Sequence, residues 1–248
     1  MDRLLEATQE AERRHFWFRG FRRFLRPFLD GGVAGVARPR ILDCGCGTGG
    51  NFRLLDAYGR TFGCELTRTG IEFARLHHHR LTRASVTHLP FPDCRFDLVT
   101  SFDVLYCLED ADEIAAAREM WRVLKPGGAA VINVAAMRIL TGNHSVLSEE
   151  VRRYSKQSLR RLLVDTGFTV VRMTHTYATL FPVMLLVRTG QRLAGLAAEE
   201  HASREITVPP SPVNEILSGV LTLESIALRF VDMPVGSSIL CLARKPTR

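Results

Sequence analysis

Residues 41–51, ILDCGCGTGGN, constrain this chain more than any other stretch. An apolar run ends at Asp43. Gly45, Gly47 and Gly49 follow at every second position, and a helical segment begins just after. Glycine admits backbone conformations closed to other residues and lets a ligand approach the main chain. The first N–H groups of the following helix are unpaired and face that ligand. A strand, a glycine turn and a helix in this order predict a site for a nucleoside-bearing cofactor.

Two further features narrow the cofactor. Glu65 closes the next apolar run, in GCELT. A carboxylate there accepts hydrogen bonds from both hydroxyls of a ribose, in NAD, FAD and S-adenosylmethionine alike. The glycine spacing discriminates among these. Turns that bind a pyrophosphate read GxGxxG, whereas this one reads DxGxGxG. Asp43 at its head would repel a pyrophosphate and suits a cofactor with a cationic amino group.

Around the turn, short apolar runs at 39–43, 61–64, 96–101 and 129–134 alternate with helical segments at 51–58, 69–79 and 113–124. Pro126, Gly127 and Gly128 stop the last helix. Such alternation predicts a parallel sheet with right-handed crossovers. Further on, Ser155 is placed to cap a helix starting near Lys156 and ended by Gly167. A strand is expected at 168–173. Two apolar helical stretches, 182–196 and 213–230, precede a last strand at 238–243.

The organisation expected is a single domain in four parts. A helical arm covers 1–38 and a cofactor-binding core 39–178. A helical insertion over 179–236 caps the acceptor, and residues 237–248 return as the final core strand. In the arm, Phe21, Phe24, Leu25 and Phe28 recur at helical spacing beside Arg19, Arg22, Arg23 and Arg26. That pattern reads as a surface helix with its phenylalanines turned inward, or as an arm that covers the cofactor or meets an anionic partner.

Composition excludes several classes. With 46% hydrophobic and 24% charged residues the chain is not a disordered one. No apolar run approaches the ~20 residues that span a bilayer. No signal-peptide core opens the sequence, so the expected compartment is the cytoplasm. The six cysteines are scattered without a CxxC pair, so neither a disulfide framework nor a metal site is expected. The net charge of +7 permits nucleic acid, phosphates or anionic lipid without choosing among them. His77, His78 and His79, closing a helix, read as solvated.

DxGxGxG, Glu65, LPFPDCRFDLV (89–99) and RVLKPGG (122–128) together resemble the class I S-adenosylmethionine-dependent methyltransferases, in particular the broad methyltransferase type 11 branch. The resemblance is good over roughly 39–134 and looser at HFWFRG (15–20) and VRRY (151–154). It implies a Rossmann-like α/β fold with a seven-stranded sheet in the order 3-2-1-4-5-7-6, strand 7 antiparallel. It also implies that Asp43, Gly45 and Gly47 line the methionine end of the cofactor and that Glu65 binds the ribose. Leu66 would lie on the adenine, Ser85 and Val86 at its edge, and Ser101 and Phe102 near the sulfonium. Arg19 would reach the cofactor carboxylate. Where relatives often carry an acidic residue, Ser85 stands. Where they read VLEH, this chain reads VLYC (104–107).

Methyl transfer needs proximity, a dry site and, for many acceptors, a base. His144, in the loop after strand 5 at the carboxyl edge, is the base candidate. Tyr106 is placed to orient an acceptor hydroxyl or amine, or to pack. Arg152, Arg153 and Tyr154 are placed to clamp an anionic acceptor. The apolar insertion favours a small hydrophobic or amphipathic acceptor, with peripheral membrane contact as a further option. A nucleic-acid methyltransferase is the weaker alternative, because SFDVLY lacks the proline pair of base-amine enzymes. A cofactor-binding chain that does other chemistry, such as cyclisation, is the third. The oligomeric state is not readable.

Overall fold

Strand β1 (Arg40–Cys44) is buried along four of its five residues, the pattern of a strand covered on both faces. It lies inside a seven-stranded sheet. The computed structural model of the chain describes residues 2–78, 80–141, 145, 148–194 and 207–247. The helical arm comes first, as α1 (Asp2–Ala11) and α2 (Phe16–Gly32). After β1 come α3 (Phe52–Leu55), β2 (Arg60–Glu65), α4 (Arg68–Arg75) and β3 (Leu81–Arg83). Then follow β4 (Phe96–Phe102), α5 (Asp110–Val123), β5 (Leu124–Ala135), α6 (Lys156–Asp165) and β6 (Thr169–Thr176). The inserted helices α7 (Phe181–Ala194) and α8 (Ser211–Ala227) precede β7 (Ser238–Arg244).

The strand order is β3-β2-β1-β4-β5-β7-β6, as expected. Strand β7 runs antiparallel to both neighbours, with Ile132 opposite Cys241 and Met173 opposite that same residue. Two layers of side chains cover the sheet. One joins Met120 and Val123 of α5 and Leu159 and Leu163 of α6 to Val99 and Ile132. The other joins Phe24, Leu25, Phe28 and Leu29 of α2 to Leu98, Val131 and Leu240. The phenylalanine stripe of the arm therefore faces the sheet.

Ser155 caps α6 as expected, accepting from the Ser158 N–H at 3.0 Å. Three differences have physical causes. Strand β3 is only LTR, too short to show a pattern. The helix expected over 51–58 contracts to one turn, α3. His78 is buried, not solvated: its ring lies 4.4 Å from that of Phe52, and Nε2 is 3.5 Å from the Asp56 carboxylate. His77 is exposed, and His79 lies outside the described residues.

Candidate cofactor and acceptor site

At the carboxyl end of β1 the chain turns through Gly45, Gly47 and Gly49, all with positive φ (74°, 52° and 83°). L-residues seldom adopt such angles. At Gly45 a Cβ would also collide with Val104. The Glu65 side chain braces the turn. Its Oε2 accepts from the Gly47 N–H at 2.9 Å, and its Oε1 from the N–H and hydroxyl of Thr67, each at 2.8 Å. Asp43 is 2% exposed and accepts from Thr100 Oγ1 at 2.7 Å. Burial pushes its carboxyl up to about 7, and the Glu65 charge adds to the rise.

These residues fit S-adenosylmethionine. A glycine cradle leaves backbone free to approach a ligand, and a buried carboxylate gains most from a cationic partner. Leu66 is 59% exposed beside Glu65, and an adenine would cover it. Val86 is buried, and Ser85 Oγ lies 2.8 Å from Thr87 Oγ1. Ser101 and Phe102 end β4, both buried, and Phe102 meets Phe21 edge-on at 5.3 Å.

The arm reaches the turn through a residue that no motif marks. Glu12 is 6% exposed and accepts from Thr48 Oγ1 at 2.7 Å. A Cβ at Gly50 would collide with its carboxylate. Burial raises its pKa, opposed chiefly by the Thr48 bond. Leu5 of α1 stands over Gly47. HFWFRG holds the arm in place. His15 Nδ1 accepts from the Trp17 N–H at 3.2 Å, and Trp17 stacks on Tyr177 at 3.6 Å.

Arg19, expected at the cofactor carboxylate, pairs with Glu215 on α8 at 2.5 Å. Tyr106 is 4% exposed in the core, and burial drives its phenol well above the usual range. Its carbonyl accepts from the N–H groups of Val151 and Arg152 and ties that loop down. Arg152 and Arg153 are already neutralised, Arg152 by Asp110 and Glu113, Arg153 by Glu150 at 2.8 Å. The Tyr154 hydroxyl donates to Glu113. All three line a cavity of about 870 Å³ beside α5 and α6, away from the glycine turn. His144 lies outside the described residues.

Asp103, the residue after β4, was not singled out by any motif. Its φ is 62°, and its Oδ1 accepts from the Asn133 amide at 2.9 Å. The residue is exposed, with the charges of Glu150 and Arg153 close enough to act on its carboxyl. Desolvation raises its pKa, against the Asn133 bond. Asn133 is 2% exposed, and its Oδ1 has no partner among the described residues. The signal in sequence is only an aspartate at the carboxyl edge of a parallel strand, where ligands sit.

Comparison with known proteins agrees with this geometry. A model of the methyltransferase domain family matches residues 42–132. A malonyl-[acyl-carrier protein] O-methyltransferase of Enterobacter lignolyticus is 28% identical over 184 residues, covering 68% of this chain and 70% of that protein. A probable tRNA methyltransferase 9B of Mus musculus is 32% identical over 120 residues, covering 48% of this chain but only 24% of the relative. Among solved structures, an S-adenosylmethionine-dependent methyltransferase of Thermotoga maritima, described as a possible histamine N-methyltransferase, superposes with a TM-score of 0.60 at 18% identity. It covers 98% of this chain and 99% of that one. Residues 42–132 thus match the methyltransferase domain family, and the sheet order is that of the class I S-adenosylmethionine-dependent methyltransferase fold.

Proposed function

We propose that the chain transfers a methyl group from S-adenosylmethionine to a small hydrophobic or amphipathic acceptor at the carboxyl ends of β4 and β5. The cofactor, when bound, supplies an electrophilic methyl carbon on a sulfonium. Asp43, Gly45, Gly47 and Glu65 hold it. One observation carries the chemistry: the exposed carboxylate of Asp103 stands just past the carboxyl end of β4 and accepts from the Asn133 amide, with Glu150 and Arg153 as charged neighbours. In this reading Asp103 takes the proton of the acceptor hydroxyl or amine, held in place by Asn133. The root of the helical insertion, where Tyr177 packs on Trp17 and Phe24, closes the site from water.

The malonyl-[acyl-carrier protein] and tRNA relatives frame the test. Protein is incubated with methyl-labelled S-adenosylmethionine and, separately, a malonyl thioester, a long-chain fatty acid and bulk tRNA. Label in an organic-extractable product supports the reading. Label in tRNA alone replaces it with the nucleic-acid alternative. S-adenosylhomocysteine binding with no acceptor-dependent turnover favours a non-methylating member.

A further inference from the structure

Four arginines stand at the start of four neighbouring strands. Arg80 directly precedes β3, Arg60 and Arg40 begin β2 and β1, and Arg95 directly precedes β4. The order β3-β2-β1-β4 sets them in one row along the amino edge of the sheet, at the far end of β1 from the glycine turn. Neighbouring strands lie about 4.8 Å apart, so the row is about 14 Å long. Contacts fix the row. The guanidinium carbons of Arg40, Arg60 and Arg80 lie 5.0, 5.5 and 5.9 Å from the centre of the half-buried Phe62 ring. Register sets Arg40 beside Arg60. A ring has two faces, so three cations on it crowd one another, and like charges side by side on neighbouring strands are destabilising. Burial, and then the charges of Arg95 and Arg60, hold the Arg40 guanidinium below its usual range, against Asp97.

The nearby carboxylates do not balance the row. Asp97 is taken by Lys125 at 2.7 Å and by the Arg40 N–H at 2.9 Å. Asp56 is shared between His78 at 3.5 Å and Arg80 at 3.6 Å, and Asp93 pairs with Arg122. Arg80 also donates to the Thr61 carbonyl at 2.7 Å. Among the described residues, the guanidiniums of Arg40, Arg60 and Arg95 have no hydrogen bond or ion pair, and Arg40 Nε is buried without a partner. Glu199, Glu200 and Glu205 lie outside the described residues. The elements that flank them pack at the opposite, carboxyl edge: Val208 on Leu4, Ala7 and Phe18, and α7 on the turn 138–140. A row of this length exceeds one phosphate. Its aromatic ring lies among the guanidiniums, so the row offers charge and not an apolar insertion. Cations in a row suit phosphates that follow one another along a chain. We infer that the amino edge of the sheet docks the phosphodiester backbone of single-stranded nucleic acid on Arg80, Arg60, Arg40 and Arg95. This edge is separate from the acceptor site, and the inference does not depend on the proposed methyl transfer.

The test is fluorescence anisotropy with a labelled short oligouridylate. Wild-type protein is expected to bind at low salt, and affinity to fall with salt at a log–log slope of about −2 to −3, for three or four phosphates. Arg40→Gln with Arg60→Gln is expected to weaken binding about tenfold or more at low salt and to reduce the slope by about 1.4, with S-adenosylhomocysteine affinity unchanged. Arg160→Gln with Arg161→Gln removes the same charge from exposed positions on α6 and is expected to bind as wild type does. Wild-type protein that leaves the oligonucleotide free at low salt overturns the inference. So does binding unchanged in the first double variant, or an equal loss in both, which would mark diffuse charge. Sedimentation with phosphatidylglycerol vesicles in place of oligonucleotide binding overturns it in favour of a lipid surface.

Discussion

The turn after β1 and the helices between β6 and β7 solve opposite problems. The turn is a backbone device: three positive-φ glycines bring main chain to a ligand, and one carboxylate, Glu65, braces it. Its requirements are local, so they leave a local signature. The helices α7 and α8 are set by distant partners. Glu224 meets the chain 45 residues away at Thr179, and Asn214 reaches back to Arg14. Helical spacing in α8 reveals an apolar stripe but not which way it faces. The usual expectation, inward, makes these helices the roof of the acceptor pocket. The exposed stripes point outward, while Leu221 and Leu228 join Tyr177 in the side-chain layer over the sheet.

That contrast can be broken most severely at the turn. Gly45→Val is expected to abolish detectable cofactor binding, because it adds unfavourable φ to a collision with Val104. Retained binding of S-adenosylhomocysteine in calorimetry would show that the turn tolerates side chains. In the insertion, Glu224→Ala removes a buried acceptor of three bonds and is expected to cost about 3 kcal/mol of stability, read from denaturant unfolding. A loss within error of zero would mean that α8 is held otherwise. Asp103→Asn is expected to lower turnover by about two orders of magnitude while leaving cofactor affinity intact. Equal turnover would return the base role to another group.

The smallest effect is a pH dependence. The folded pKa of Asp43 lies near 7, above its ordinary 3.8. The empty chain therefore holds a proton there that the unfolded chain releases, and this contribution to stability falls as pH rises from about 4 to 7. Cofactor affinity runs the other way, rising through the same window as Asp43 ionises to meet the amine. Asp43→Asn should flatten both trends. Calorimetry and denaturation at several pH values would check them.

Legibility followed the same division. Glycine turn, Ser155 cap and six of the strands stood out because each needs a residue type or run at a given place. Strand β3 did not, being three residues supported by its neighbour Gly63–Glu65. Glu12 was hidden because its partner Thr48 lies far along the chain. Arg19, Arg152 and Arg153 were read as ligand-facing because sequence shows charges without their counter-ions. Glu215, Glu113 and Glu150 supply those. Asp103 sat in plain view, but an aspartate gains meaning only with the Asn133 amide against it.

The most direct measurement is a calorimetric titration of S-adenosylhomocysteine into wild-type protein and into Glu65→Ala. One site per chain is predicted, weakened in the variant by about 1–3 kcal/mol through the loss of two bonds to a charged acceptor. An affinity unchanged by the substitution would contradict the placement of the cofactor on the turn.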